Sequence, residues 1–188
     1  MRFTILGAVA FLLFFLYDIN SILKISRLLK GGFFAGLLLL TAATAGIILS
    51  SREMLKLELI RTGICGLLAV LFFALLVYTL FFALPFQDTY LDTKAQPKVY
   101  RQGMYALCRH PGVLWFIGLY FSLGQALGLP TLNLAAAVFC SLNILYVFFQ
   151  DNWTFMRAFP DYKEYRNETP FLIPGLHSIR RCFKTISR

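Results

Sequence analysis

Five apolar runs, parted by short charged or polar breaks, organise this chain: residues 3–17, 33–50, 64–86, 113–129 and 131–150. Runs of this length and purity predict helices that cross a membrane. The first run has fifteen residues. At about 1.5 Å of rise each it falls short of a hydrocarbon core of about 30 Å, so the span needs residues 18–23 as well. That extension takes in Asp18, a charge whose partner the pattern does not name. A secretory signal peptide is the rival reading, with Arg2 as its basic end; no small-x-small cleavage site follows, so a retained span is expected. The run at 64–86 is the longest and cleanest. Only Pro130 parts the last two runs, which predicts a tight helical hairpin with both open ends on one side.

The expected fold class is therefore all-α: a polytopic membrane helix bundle of about five transmembrane helices, with a C-terminal helical hairpin and an interfacial tail. One domain spans residues 1–188. Residues 1–86 read as scaffold spans, poor in polar groups. Residues 87–188 read as the working half, a catalytic loop, hairpin and cytoplasmic tail with denser polar and aromatic residues and most of the prolines.

Composition sharpens this picture. Hydrophobic residues make up 59% of the chain and charged residues 14%, and the mean hydropathy is +0.69. A soluble domain carries about 25% charged residues, so a disordered chain is excluded and a soluble globular one disfavoured. The net charge of +9 would point to nucleic acid in a soluble protein. Here the cations sit between apolar runs, where they set topology and meet anionic lipid, and no nucleic-acid partner is expected. With the hairpin's open ends inside, Lys24, Arg27, Lys30, Lys94, Lys98, Arg101, Arg109 and seven tail cations from Arg157 to Arg188 face the cytoplasm. Only Arg2, Arg52, Lys56 and Arg61 face out. Basic residues favour the inside, so the N-terminus is expected outside and the C-terminus cytoplasmic. Residues 52–61 alternate in charge and are expected to form a short helix on the outer surface.

Cys65, Cys108, Cys140 and Cys182 are too far apart for a zinc pattern, and no metal is expected. Two polar segments flank the hairpin instead, residues 100–111 and 151–174. The hairpin should carry Arg109, His110 and Asp151 to the same membrane face, giving a cation, an imidazole and a carboxylate at the boundary. Ionisable groups near a bundle interior are costly and are functional candidates. Taken singly, Arg109 also reads as a topology signal and lipid anchor, and Asp151 as a solvated helix end. His110 precedes Pro111, which suits a first helical position because its missing N–H has no partner there anyway. Ser122, Gln125, Asn133 and Asn143 form a polar strip read as interhelical hydrogen bonding. Trp153, Phe155, Met156 and Phe159 are expected in an interfacial helix, and Arg180, Arg181, Lys184 and Arg188 against anionic headgroups.

The spacing Gly103-x-Tyr105-x-x-x-Arg109-His110-Pro111 before a span and hairpin resembles the isoprenylcysteine carboxyl methyltransferase and phospholipid methyltransferase superfamily. Phe159-Pro160-x-Tyr162-x-x-Tyr165, then Thr169-Pro170-x-x-Ile173-Pro174, resembles that superfamily's closing segment. The likeness covers residues 100–174. Val113 and Trp115 stand where the family has Tyr and Gly, Pro160 where it has Gly, and Asp151-Asn152 where it has a Glu pair. The resemblance implies a methyltransferase enzyme that uses S-adenosylmethionine. No glycine-rich G-x-G-x-x-G loop is present, in keeping with a pocket made by hairpin and tail. Arg109, His110 and Asp151 are the implied catalytic residues. Tyr105, Arg109, His110, Asp151, Asn152, Tyr162 and Tyr165 are the implied cofactor-binding set. Arg109 and His110 suit the cofactor's carboxylate, and Asp151 or Asn152 its ammonium. Trp115, Trp153, Phe155 and Tyr162 suit adenine. The methyl acceptor is expected to be a lipid-like or small amphipathic molecule entering from the bilayer, with a carboxylate, amine or thiol. Sterol and steroid reductases resemble the same tail and imply NADPH as the alternative. A non-catalytic membrane protein of the same fold is the third reading.

Overall fold

The computed structural model describes residues 1–83 and 98–186. Lys94, Arg188 and the end of the run at 64–86 lie outside the described residues. Within these bounds the protein is all-helical. The helices are α1 (Arg2–Leu23), α2 (Gly32–Ser50), α3 (Leu59–Val77), α4 (Met104–Leu107), α5 (Pro111–Leu127), α6 (Pro130–Phe149), α7 (Phe155–Ala158), α8 (Tyr162–Glu168) and α9 (Leu176–Ile186). π-helical turns at Tyr78–Phe82 and Gln150–Thr154 prolong α3 and join α6 to α7. Four stretches are long and apolar enough to cross a membrane: Arg2–Leu23, Leu28–Ser50, Leu59–Phe82 and Pro130–Ala158. The fifth, Pro111–Leu127, is shorter, with 17 residues.

The break between α5 and α6 falls two residues before the proline. Gly128 takes φ 60°, ψ 33°, a left-handed conformation open to glycine at little cost, and ends α5 with its N–H on the Gln125 carbonyl. Pro130 then opens α6, where it forfeits no helical hydrogen bond. Residues 52–61 correct another expectation. They form a 3₁₀ turn at Arg52–Met54 and an extended stretch before α3, not one helix. Lys56 N–H there donates to the Leu127 carbonyl at 3.2 Å, and Thr62 Oγ1 to the Ala126 carbonyl at 2.9 Å. The Lys56 N–H, which a surface helix would satisfy internally, is satisfied by the end of α5 instead.

α1 packs on α2 and α6, α3 packs on α5, and α5 packs on α6. Phe11 and Phe14 of α1, Phe116 and Tyr120 of α5, and Phe139 and Tyr146 of α6 share the core. Phe11 meets Phe14, Phe116 and Phe139 with ring centroids 5.6–6.3 Å apart. Leu38, Leu67, Val70 and Phe73 face outward, as lipid contact requires. One end of the bundle holds the α2–α3 and α5–α6 connections. The other gathers the end of α1, residues 98–110, Asp151 and the tail.

Candidate functional site

Asp151 sits in the π-helical turn Gln150–Thr154 and is only 2% exposed. A π turn adds a residue to the helical repeat and re-aims what it carries; such turns recur at functional sites. Arg109 Nε donates to Asp151 Oδ1 at 2.7 Å and Nη2 to Oδ2 at 3.1 Å, a bidentate pair. The remaining nitrogen, Nη1, donates to the Thr169 carbonyl at 2.7 Å and the Arg166 carbonyl at 3.1 Å. The Arg109 backbone N–H donates to the Pro170 carbonyl at 2.9 Å, so the tail fixes this residue at both ends. Arg166 Nε lies 3.4 Å from Asp151 Oδ2.

Tyr162 and His110 complete the carboxylate's shell. Tyr162 donates its hydroxyl proton to Asp151 Oδ1 at 2.6 Å. Burial, then the carboxylate it donates to, pushes the Tyr162 phenol well above its ordinary range, so it stays a donor. His110 Nε2 lies 3.3 Å from the same Oδ1. Burial lowers the His110 pKa despite the opposing pull of Asp151, so the ring is neutral at pH 7. An ionised carboxylate only accepts, which assigns the proton to Nε2 and leaves Nδ1 as an acceptor. The ring stacks on Phe155 (5.8 Å, 12°) and meets Phe171 edge-on at 5.3 Å. Phe155 therefore faces inward from α7, which continues α6 through the π turn.

A second layer holds the segment before α5. Tyr165 donates to the Tyr105 carbonyl at 2.6 Å, and Tyr105 to the Thr79 carbonyl in the first π turn at 3.1 Å. Arg101 pairs with Asp161 at 2.9 Å and with Glu164 at 3.2 Å. Gly103, at φ 57°, donates its N–H to Thr185 Oγ1 on α9 at 2.9 Å.

A cavity of about 260 Å³ opens between α1, α2, α3, α5 and α6 and reaches Arg109 and His110. Its walls are mostly apolar, among them Phe11, Phe14, Leu40, Val113 and Phe116; Asn143, Tyr146 and Gln150 add polar groups. Gln150 Nε2 donates to Asp18 Oδ2 at 2.8 Å and to the Tyr146 hydroxyl at 2.9 Å.

Four of the residues singled out from sequence, Arg109, His110, Asp151 and Tyr162, thus meet around one carboxylate. Tyr105 and Tyr165 pair beside them. Asn152 does not join: it is exposed and donates back to the Phe148 carbonyl at 2.8 Å. Sequence reasoning passed over Arg166, although its place four residues after Tyr162 puts both on one helical face. It also passed over Gln150 as the partner of Asp18, for which no local signal exists. No family model matches the chain, and no curated protein or solved structure matches it either.

Proposed function

We propose that this chain is an integral-membrane methyltransferase that uses S-adenosylmethionine and methylates a lipid-like or small amphipathic acceptor. The observation that carries this reading is the Arg109–Asp151 pair beside the mouth of an apolar cavity. The amino-acid portion of the cofactor bears one carboxylate and one ammonium. Arg109 matches the first and Asp151 the second, so a zwitterion exchanges one buried ion pair for two. The donor set fits the group in chemistry. The cavity, at about 260 Å³, lies just under the range of about 300–1,000 Å³ usual for ligand pockets.

When bound, the cofactor supplies an electrophilic methyl group. The chain's residues bind and orient. Phe155 and the His110 ring offer flat apolar walls for adenine. The apolar cavity holds the acceptor's hydrocarbon and keeps water from the reacting centre. Alignment of nucleophile and methyl does much of the work in an in-line displacement. A carboxylate acceptor needs no base. An amine or thiol must lose a proton, and the neutral His110, which lines the cavity, is the base this reading assigns to take it. In this reading α5 also crosses the bilayer and forms a hairpin with α6, the N-terminus lies outside, and the C-terminus with the Arg109 cluster is cytoplasmic.

Arg109 spends four of its five N–H groups on Asp151 and two tail carbonyls, which favours a second reading, in which the pair is a permanent clamp between bundle and tail in a non-catalytic protein. Melting of the purified protein with S-adenosylhomocysteine, with NADPH and with neither separates the readings. A ligand that binds only the folded state raises the melting temperature, by about 2.7 kcal/mol of stability at a hundredfold excess over Kd. A shift with S-adenosylhomocysteine alone supports the methyltransferase. A shift with NADPH alone moves the assignment to a reductase, and none with either to the clamp.

A further inference from the structure

Asp18 is a carboxylate on a helix apolar enough to cross a membrane, and it is only 5% exposed. An ionised group there is costly unless something compensates it. Its hydrogen-bond partner Gln150 is neutral, as is Tyr146, which accepts from the same amide nitrogen. Among the described residues no Lys, Arg or His reaches it within ion-pair distance. Asp151, by contrast, has three basic side chains around it. Gln150 and Tyr146 line the cavity, so Asp18 stands one hydrogen-bonded side chain behind the cavity wall. By directing its NH2 at Asp18 and Tyr146, Gln150 has its carbonyl oxygen left to offer, an acceptor only. Asn143 adds a further neutral amide to the lining. A carboxyl group with no basic partner thus stands behind acceptors in this part of the cavity, against apolar walls that suit a hydrocarbon chain.

From this arrangement we propose that Asp18, Gln150 and Tyr146 form a binding site for the cationic amino head of a single-chain amphiphile whose tail occupies the apolar cavity. The ammonium donates to the Gln150 carbonyl and the Tyr146 oxygen and supplies the positive charge that Asp18 lacks. The site rests on the cavity and the Asp18 network, and it stands whether or not Arg109 and Asp151 hold a cofactor.

The test uses the full chain in nanodiscs of neutral lipid, melted in the presence of dodecylamine, dodecanol or dodecanoic acid. The proposal expects dodecylamine to raise the melting temperature more than either of the others. It expects Asp18→Asn, close to isosteric, to weaken dodecylamine by at least about tenfold, because the neutral amide removes the negative charge that the ammonium is proposed to balance across Gln150. Dodecanol binding should be unchanged in that variant. Equal responses to the three amphiphiles overturn the site, as does an undiminished amine response in Asp18→Asn. If that variant does not fold, Gln150→Leu, which removes the intermediary at the cavity wall, must lose the amine preference or the proposal falls. A parallel melt with S-adenosylhomocysteine keeps the two ideas apart: a shift there without an amine response sinks this site alone, and the converse sinks only the methyltransferase.

Discussion

Arg109 and Asp151 stand 42 positions apart in sequence and meet in a bidentate ion pair at 2.7 and 3.1 Å, with side chains only 9% and 2% exposed. The pair closes residues 98–110, α6 and the tail on one another, so its removal acts on both stability and the candidate site.

Removing Asp151 leaves the Arg109 charge buried without a carboxylate, and removing Arg109 leaves Asp151 with only the 3.4 Å contact to Arg166 as an ionised partner; loss of one side of a buried pair costs about 3–5 kcal/mol. Arg109→Ala and Asp151→Ala should each lower stability by that order, measured by denaturant titration of the purified protein. The double variant should cost clearly less than the two single losses together, because no orphaned charge remains. Additive losses would show that the two side chains act separately.

His110 gives a pH dependence of defined sign. Burial sets its folded pKa below the ordinary value of about 6.5, so the unfolded chain takes up the proton first. The contribution is full above about pH 6.5 and is lost as pH falls through the lower folded value. Melting temperatures between pH 7.5 and 5 should fall more steeply in the wild type than in His110→Gln, whose amide still donates to Asp151 but does not titrate. Parallel profiles would remove His110 from this role.

The two neighbours Asp151 and Asn152 should separate Tyr162 from the surface. Tyr162→Phe deletes a buried donor to Asp151 and should cost about 1–3 kcal/mol, with weaker binding of S-adenosylhomocysteine. Asn152→Ala alters an exposed side chain and should stay within about 0.5 kcal/mol of the parent. Calorimetric titration alongside thermal melting reads both; a larger effect at Asn152 would reverse their ranking.

Backbone conformation makes a third contrast. Gly103 has φ 57° and ψ −130°, where an alanine is strained by about 1–3 kcal/mol. Gly103→Ala should lower the melting temperature and loosen the Thr185 contact from α9. Gly63 lies within α3 with nothing within 4 Å of where a Cβ would sit. Gly63→Ala should leave stability unchanged or raise it, since alanine is favoured over glycine inside a helix by about 0.5–1 kcal/mol.

What could be read without coordinates was what depends on local order along the chain. Among the described residues, apolar runs located the five long apolar helices, because such a helix is specified by the length and purity of its own residues. Pro111 and Pro130 were legible near helix starts, although Pro130 proved to open α6 rather than break the chain, since Gly128 had already closed α5. Arg109, His110, Asp151 and Tyr162 were legible as a set because their segments flank consecutive runs joined by a short turn. Asn152 was grouped with Asp151 by adjacency, yet neighbours on a helix point about 100° apart, and the π turn sends one inward and the other out.

The sequence by itself therefore determined an all-helical fold over the described residues, with long apolar helices and one end rich in basic and aromatic residues. The tertiary structure alone decided the rest: that Arg109 spends four of its five N–H groups on Asp151 and two tail carbonyls, that Arg166 joins them, and that Asp18 finds Gln150 from 132 positions away. Those partners depend on which helix faces meet and at what depth. Side-chain geometry across packed elements fixes that, and spacing along one element carries no record of it.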